Sequence, residues 1–236
     1  MIRTLYIYWD TTFKNSPEII KKCLLSWKQK NTNWNIIELD DNNINNYINI
    51  SEYIPNINKK NISKTALSDI IRIILLKKYG GLWCDATTFC MTSLDNWLDN
   101  YIHEGFFAFN KPGPGRLISS WFIYGNKDNY LIDKWFNCTI DYWNNHDEMH
   151  TYFWFHYLFN DLYNNDKTLK KKWDNIKKIS ADGPHYLQNN GILNKITQNV
   201  KNHIDNKQTY LYKLTYKYDF AKYNKNCILA YLFNKL

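Results

Sequence analysis

No stretch of this chain approaches the ~20 consecutive apolar residues that a membrane-spanning helix requires. The most apolar segment, Ile70 to Leu76, carries Arg72 within it, so any contact with a membrane is expected to be peripheral, at its inner face. Residues Met1 to Trp9 have neither the length of a signal peptide's apolar core nor the small residues of a cleavage site, and are read as a first strand. Cysteine is scarce and odd in number: Cys23, Cys84, Cys90, Cys138 and Cys227 contain no Cys-x-x-Cys pair. This argues against a zinc site and for reduced thiols in a cytoplasmic protein. Glycine and proline are also few, 8 and 5 among 236 residues, which argues against extended disorder. Acidic residues are in deficit, 22 against 30 Lys and Arg, giving a formal charge of +8. The balance favours anionic partners: nucleotide phosphates, nucleic acid, acidic glycans or an anionic membrane face.

What is abundant is aromatic: 10 Trp, 19 Tyr and 12 Phe. The length suits one large α/β domain over residues 1–236, with no internal repeat and no clear linker. Ile2 to Tyr8 reads as a strand. Ser16-Pro17-Glu18 then offers an N-cap, a proline at the first helical position and an acid in the first turn, ahead of a helix whose Ile19, Ile20, Cys23, Leu24 and Trp27 share a face. Trp34 to Leu39 reads as a second strand, and Asn42 to Lys64 as short helical turns. A helix from Ser63 or Lys64 to Tyr79 ends in Gly80-Gly81, residues that permit a left-handed cap and a tight turn before a strand at Leu82 to Cys84. Strands are expected at Gly105 to Phe109 and Ser119 to Tyr124, joined by Lys111 to Gly115 as an active-site loop or a plain hairpin connection. Helices follow at Asp128 to Asn144, Thr151 to Asn164 and Lys167 to Lys178. Asp182-Gly183-Pro184-His185 is read as a break, and Thr209 to Lys217 as strand or extended loop.

The chemistry concentrates between Ser68 and Thr87. Thr65, Asp69 and Arg72 lie one helical turn apart on a helix that is otherwise largely apolar. A surface ion pair between Asp69 and Arg72 would be functionally idle and worth ~0–1 kcal/mol. The apolar surroundings argue instead for buried charges that need further partners. Asp85 follows Leu82-Trp83-Cys84 at a strand's exit, where open α/β sheets bind their ligands, and such a carboxylate can hold a divalent cation or sugar hydroxyls. The alternative for Asp85 is a turn cap.

The order Ser-Asp-x-x-Arg, then after six residues Tyr-Gly-Gly-x-Trp-x-Asp-Ala-Thr, resembles the signature of the DXD-type glycosyltransferases with a sugar-binding region. It is most similar to their capsular polysaccharide synthesis branch, and the separation of Arg72 from Asp85 matches that of the related glucosylating toxins. Weaker likeness extends to Tyr8-Trp9, Phe155-His156-Tyr157, Gly183-Pro184-His185 and Lys213 to Lys217. The resemblance implies a GT-A fold, a nucleotide-diphosphate sugar as donor with UDP-sugar favoured, and transfer with retention to a glycan or lipid-linked glycan acceptor. It implies catalytic roles for Asp69, Arg72 and Asp85. Donor binding would involve Tyr8, Trp9, Ser68, Asp69, Arg72, Trp83, Asp85, Ala86, Thr87, His185, Lys213 and Lys217, with Trp83 lining the pocket.

Thr87 stands where such enzymes carry the principal metal-binding acid, and a hydroxyl is a poor substitute for a carboxylate. Two cofactor readings stay open. Asp85 holds Mn²⁺ or Mg²⁺ with help from the diphosphate and a C-terminal residue, or Lys213, Lys217 and His185 supply part of the missing charge. The alternative acceptor is a protein, as in the toxins. Readings of another class are a non-catalytic glycan-binding protein or a binder of single-stranded nucleic acid through stacked aromatics, although no stable nucleic-acid partner is expected.

Overall fold

The computed structural model describes residues 1–236, apart from the side chain of Phe220. Its strands are β1 (Thr4–Tyr8), β2 (Asn35–Leu39), β3 (Gly81–Cys84), β4 (Thr88–Cys90), β5 (Phe106–Gly113), β6 (Arg116–Gly125) and β7 (Leu211–Lys213). The α-helices are α1 (Glu18–Lys30), α2 (Lys64–Tyr79), α3 (Tyr130–Asn145), α4 (Trp154–Asn165), α5 (Lys167–Asn175), α6 (Asp182–Asn189), α7 (Gln198–Asp205) and α8 (Ile228–Phe233). Five strands form a mixed sheet in the order β2-β1-β3-β6-β5, with β1 parallel to β2 and β3, and β6 antiparallel to β3 and β5. A second sheet pairs β4 with β7, antiparallel.

Successive side chains of a strand point to opposite faces, and the main sheet accordingly separates two cores. Leu5, Ile7, Leu82, Cys84 and Phe122 face the side covered by α1 and the C-terminal helices. Tyr6, Tyr8, Trp83 and Ile123 face α2 to α5. The α2 helix is nearly encased, because Ile70, Ile71, Ile73, Ile74, Leu75 and Leu76 are all buried. Its N-terminus is capped by Ser63, whose hydroxyl accepts from the Ala66 amide at 3.2 Å. At its other end Gly80 and Gly81 adopt φ of +67° and +103°, and a Cβ would lie 2.6 Å from the Lys127 nitrogen in the first case and 2.8 Å from the Thr4 carbonyl in the second. Only glycine lets the chain turn that sharply into β3.

Two local expectations are corrected and one alternative is decided. Ser16 does not cap α1; its hydroxyl turns back to donate to the Phe13 carbonyl at 2.8 Å, and Pro17 occupies the N-cap position. Of the two readings of Lys111 to Gly115 the hairpin connection is the one observed, since β5 runs on to Gly113 and β6 starts at Arg116, with register shifts beyond Ala108 that accommodate Lys111 at φ +50°. Asp182 to His185 does not interrupt helical structure but opens α6. Pro184 is its third residue, where an amide would have no partner inside the helix in any case.

Candidate active site

A cleft of about 670 Å³ opens beyond the carboxyl ends of β1 and β3, the position at which open α/β sheets bind ligands. One wall is the polar stripe of α2, with Thr65, Ser68, Asp69 and Arg72; Asp85, Ala86 and Thr87 form its floor. Tyr8 and Trp9 enter from the end of β1, His185 from α6, and Lys213 and Lys217 from β7 and the segment after it. Every expected site residue but Trp83 therefore borders one cavity.

Trp83 is the correction. It is wholly buried, because strand alternation turns it into the core on the α2 side. From there its indole Nε1 donates to Asp85 Oδ1 at 2.9 Å. Trp83 orients a carboxylate of the cleft without lining it.

Arg72 organises the charges. Asp69 and Arg72 are only 4% and 3% exposed, and they form an ion pair within α2; it is not the exposed pair that would have been idle. The Arg72 guanidinium also bridges to Asp85, Nη2 to Oδ1 at 2.8 Å, and to Ser68 Oγ at 3.3 Å. It lies 5.1 Å from the Trp83 ring and 5.8 Å from that of Phe155, close enough for cation–π attraction. Burial pushes the Arg72 pKa down against the opposing pull of Asp85.

Asp85 is held from both sides. Its Oδ2 accepts from Lys213 Nζ at 2.9 Å, and the same ammonium donates to the Thr87 hydroxyl. Burial raises the Asp85 pKa, but Lys213, Arg72 and the Trp83 indole outweigh it and hold the carboxyl below its ordinary value. Lys213 is delivered by backbone pairing: Thr88 of β4 is in register with Lys213 of β7, and the Leu214 amide donates to the Thr87 carbonyl at 2.9 Å.

The remaining expected residues sit around this network. The Tyr8 hydroxyl donates to Asp41, which together with burial pushes its pKa up. Trp9 meets Tyr216 edge to face, ring centroids 5.0 Å apart, making an aromatic corner from the two ends of the sequence. His185 Nδ1 donates to the Ala181 carbonyl at 2.8 Å, and burial lowers its pKa. Lys217 is exposed, its ammonium 5.9 Å from the Tyr216 ring.

Sequence reasoning missed Arg116 and left His156 a mere landmark, yet both line the cleft. Arg116 stacks on Phe153 at 3.8 Å, and its buried Nε has no partner. His156 Nδ1 is likewise buried without a partner, and burial, aided by Arg72 and Arg116, pushes its pKa down to about 3. A signal for Arg116 was present: the chain has only three arginines, and two of them, Arg72 and Arg116, border the cleft. In a lysine-rich sequence a retained guanidinium marks a need for planar, many-donor geometry.

The donor set does not suit a divalent cation. Mn²⁺ or Mg²⁺ wants about six oxygen ligands at short range, whereas both oxygens of Asp85 are engaged by positive or N–H donors and the Thr87 hydroxyl is held by Lys213. Among the described residues no group of three or more His, Cys, Asp or Glu could hold a metal.

A profile of the family described as capsular polysaccharide synthesis protein matches residues 1–233. The chain belongs to this family. Two curated relatives agree with it at a distance. The O-glycosyltransferase braB of Annulohypoxylon truncatum is 21% identical over 60% of this chain and 38% of its own length. The O-glycosyltransferase PaGT of Phomopsis amygdali is 23% identical over 60% and 39%. The chain thus spans well under half the length of these relatives. The solved PaToxG glycosyltransferase superposes with a TM-score of 0.51 at 16% identity, over 73% of each chain. That likeness establishes the fold of this family member as the expected mixed α/β, GT-A-like one. No helix among the described residues is long and apolar enough to cross a membrane.

Proposed function

We propose that this family member is a glycosyltransferase that moves a sugar from a nucleotide-diphosphate sugar, UDP-sugar favoured, to a hydroxyl of a glycan or lipid-linked glycan, with retention of configuration, in surface polysaccharide synthesis. The observation that carries this reading is the Asp69–Arg72–Asp85–Lys213 network at the strand exit of a basic, aromatic-walled cleft. The names of the curated relatives support an oxygen acceptor.

In this reading Trp9 and Tyr216 border the nucleotide base, and the exposed edges of Asp69, Arg72 and Asp85 bind donor-sugar hydroxyls. Positioning of this kind supplies much of an enzyme's rate enhancement. The bond from the anomeric carbon to the β-phosphate oxygen breaks, and its electron pair leaves with the diphosphate. The acceptor hydroxyl bonds to the anomeric carbon from the same face, and its proton passes to the departing diphosphate. A same-face route is favoured over double displacement because the acids bordering the cleft are engaged: Asp69 and Asp85 as described, and Asp10 with Lys64.

The test is a thermal-shift panel of UDP, GDP, CDP and their sugars, followed by donor hydrolysis without acceptor. A nucleotide sugar should raise the melting temperature, and Asp85→Ala should reduce its hydrolysis by about 10²–10³-fold, the scale of losing one preorganised electrostatic contact. Absence of both effects would refute the transferase reading. Protein acceptors, tested in parallel with glycans, separate the toxin-type alternative.

A further inference from the structure

The place in the cleft where a metal would be sought is filled by an amine. Its ammonium lies between the Asp85 carboxylate, 2.9 Å from Oδ2, and the Thr87 hydroxyl, bridging the first and third residues of Asp85-Ala86-Thr87. We propose that Lys213 takes the position and the electrostatic duty of a divalent cation, so that this chain binds the donor's diphosphate and stabilises its departure without a metal. The inference rests on the transferase reading above and specifies its cofactor requirement.

Three features carry it. The first is charge balance: Asp69, Asp85, Arg72 and Lys213 form a closed set of two carboxylates, one guanidinium and one ammonium. A dication entering there would have to displace the ammonium from both of its partners and would then face Arg72 across Asp85. The second is delivery. Lys213 rides on β7, locked to β4 by the Thr88 pairing, and its side chain is 16% exposed. The ammonium is thus fixed before ligand arrives, as electrostatic stabilisation of a leaving group requires. The third is the choice among neighbours. The Nδ1–H of His185 is hydrogen-bonded to the Ala181 carbonyl, and neither His185 nor Lys217 bonds to Asp85 or Thr87, so the replacement of the metal falls to Lys213. An ammonium has three donors and two are used, by Asp85 and Thr87, so the third can donate to a β-phosphate oxygen and offset the charge that grows as the sugar departs.

The experiment is titration calorimetry of UDP, with GDP and CDP alongside, against the full chain in excess EDTA and again in Mn²⁺ or Mg²⁺. The bound nucleotide's Kd should agree within about twofold across the three conditions. Lys213→Met, which keeps the apolar stem, should weaken binding about tenfold or more while circular dichroism confirms folding. Lys213→Met combined with Thr87→Asp should recover affinity only when metal is added. A tenfold or greater gain in wild-type affinity on adding Mn²⁺, or binding unaltered by Lys213→Met, would overturn the proposal and leave the transferase reading standing. Should none of the nucleotides bind in any condition, both fail together. If Lys213→Met is unfolded, Lys213→Arg decides: affinity within threefold of wild type and indifferent to EDTA supports a cationic role, and a metal requirement in that variant contradicts it.

Discussion

The two ends of the cleft differ in how their charges are paired. Around Asp85 the partners are internal: Arg72, Trp83 and Lys213 bond to it, and Asp69 pairs with Arg72. Around Arg116 they are not: its hydrogen bond is a long one, 3.4 Å, to the Pro112 carbonyl, it pairs with no acid among the described residues, and its buried Nε and the Nδ1 of His156 have no partner. Buried polar groups left without partners cost free energy. The comparison teaches that the charges of one end are paired with one another before ligand arrives, with Arg72 Nε the one nitrogen of that network left without a partner, whereas Arg116 at the other end retains its charge for a ligand to meet.

Breaking the charge-paired end should have the largest effect on folding. Arg72→Met leaves Asp69 buried without its cation and removes a partner of Asp85, so it should destabilise the chain by about 3–5 kcal/mol, the usual cost of halving a buried ion pair. Urea unfolding measures this, and a loss below about 1 kcal/mol would mean that the network is not structural. At the other end, Arg116→Ala should cost activity rather than stability. It strands no acid, so a tenfold fall in kcat/KM should accompany a stability change within about 1 kcal/mol. Equal losses of stability in the two variants would erase the distinction between the ends.

The pH dependence sharpens the contrast further. His156 is neutral when folded, with its pKa pushed down to about 3, whereas an unfolded histidine titrates near 6.5. Between those values the unfolded chain binds the extra proton, so the contribution is complete above about pH 6.5 and is lost as the pH falls toward 3. Stability measured from pH 7 to 4 should decline, and His156→Gln should flatten the decline. The smallest effect is expected at Lys217, which is exposed and contacts neither Asp85 nor Thr87. Lys217→Ala should alter nucleotide affinity by no more than about threefold, mostly at low salt, where exposed charges are least screened.

Much of the charge-paired end was legible from residue spacing. Asp69 and Arg72 share a helix face because the α-helix repeats every ~3.6 residues, and Gly80-Gly81 announced the turn that brings Asp85 to the exit of β3. The role of Trp83 was misread: its period in the strand placed it on the α2 side, but whether that side was cleft or core depended on the helices packed there. The helical start at Asp182 was obscured by Gly183 and Pro184, whose usual meaning as breakers lapses in a first turn. Arg116 and His156 come from a hairpin and a helix that no local period connects.

The sequence by itself determined the family, the mixed α/β class, the α2 face, the glycine turn and the place of Asp85, all of which depend on neighbours within a few turns of chain. The tertiary structure alone decided what Asp85 meets. Its partner Lys213 lies 128 residues away, brought there by pairing of β4 with β7. Side chains so far apart in the chain are joined by backbone hydrogen bonds and packing, which no spacing within either segment encodes.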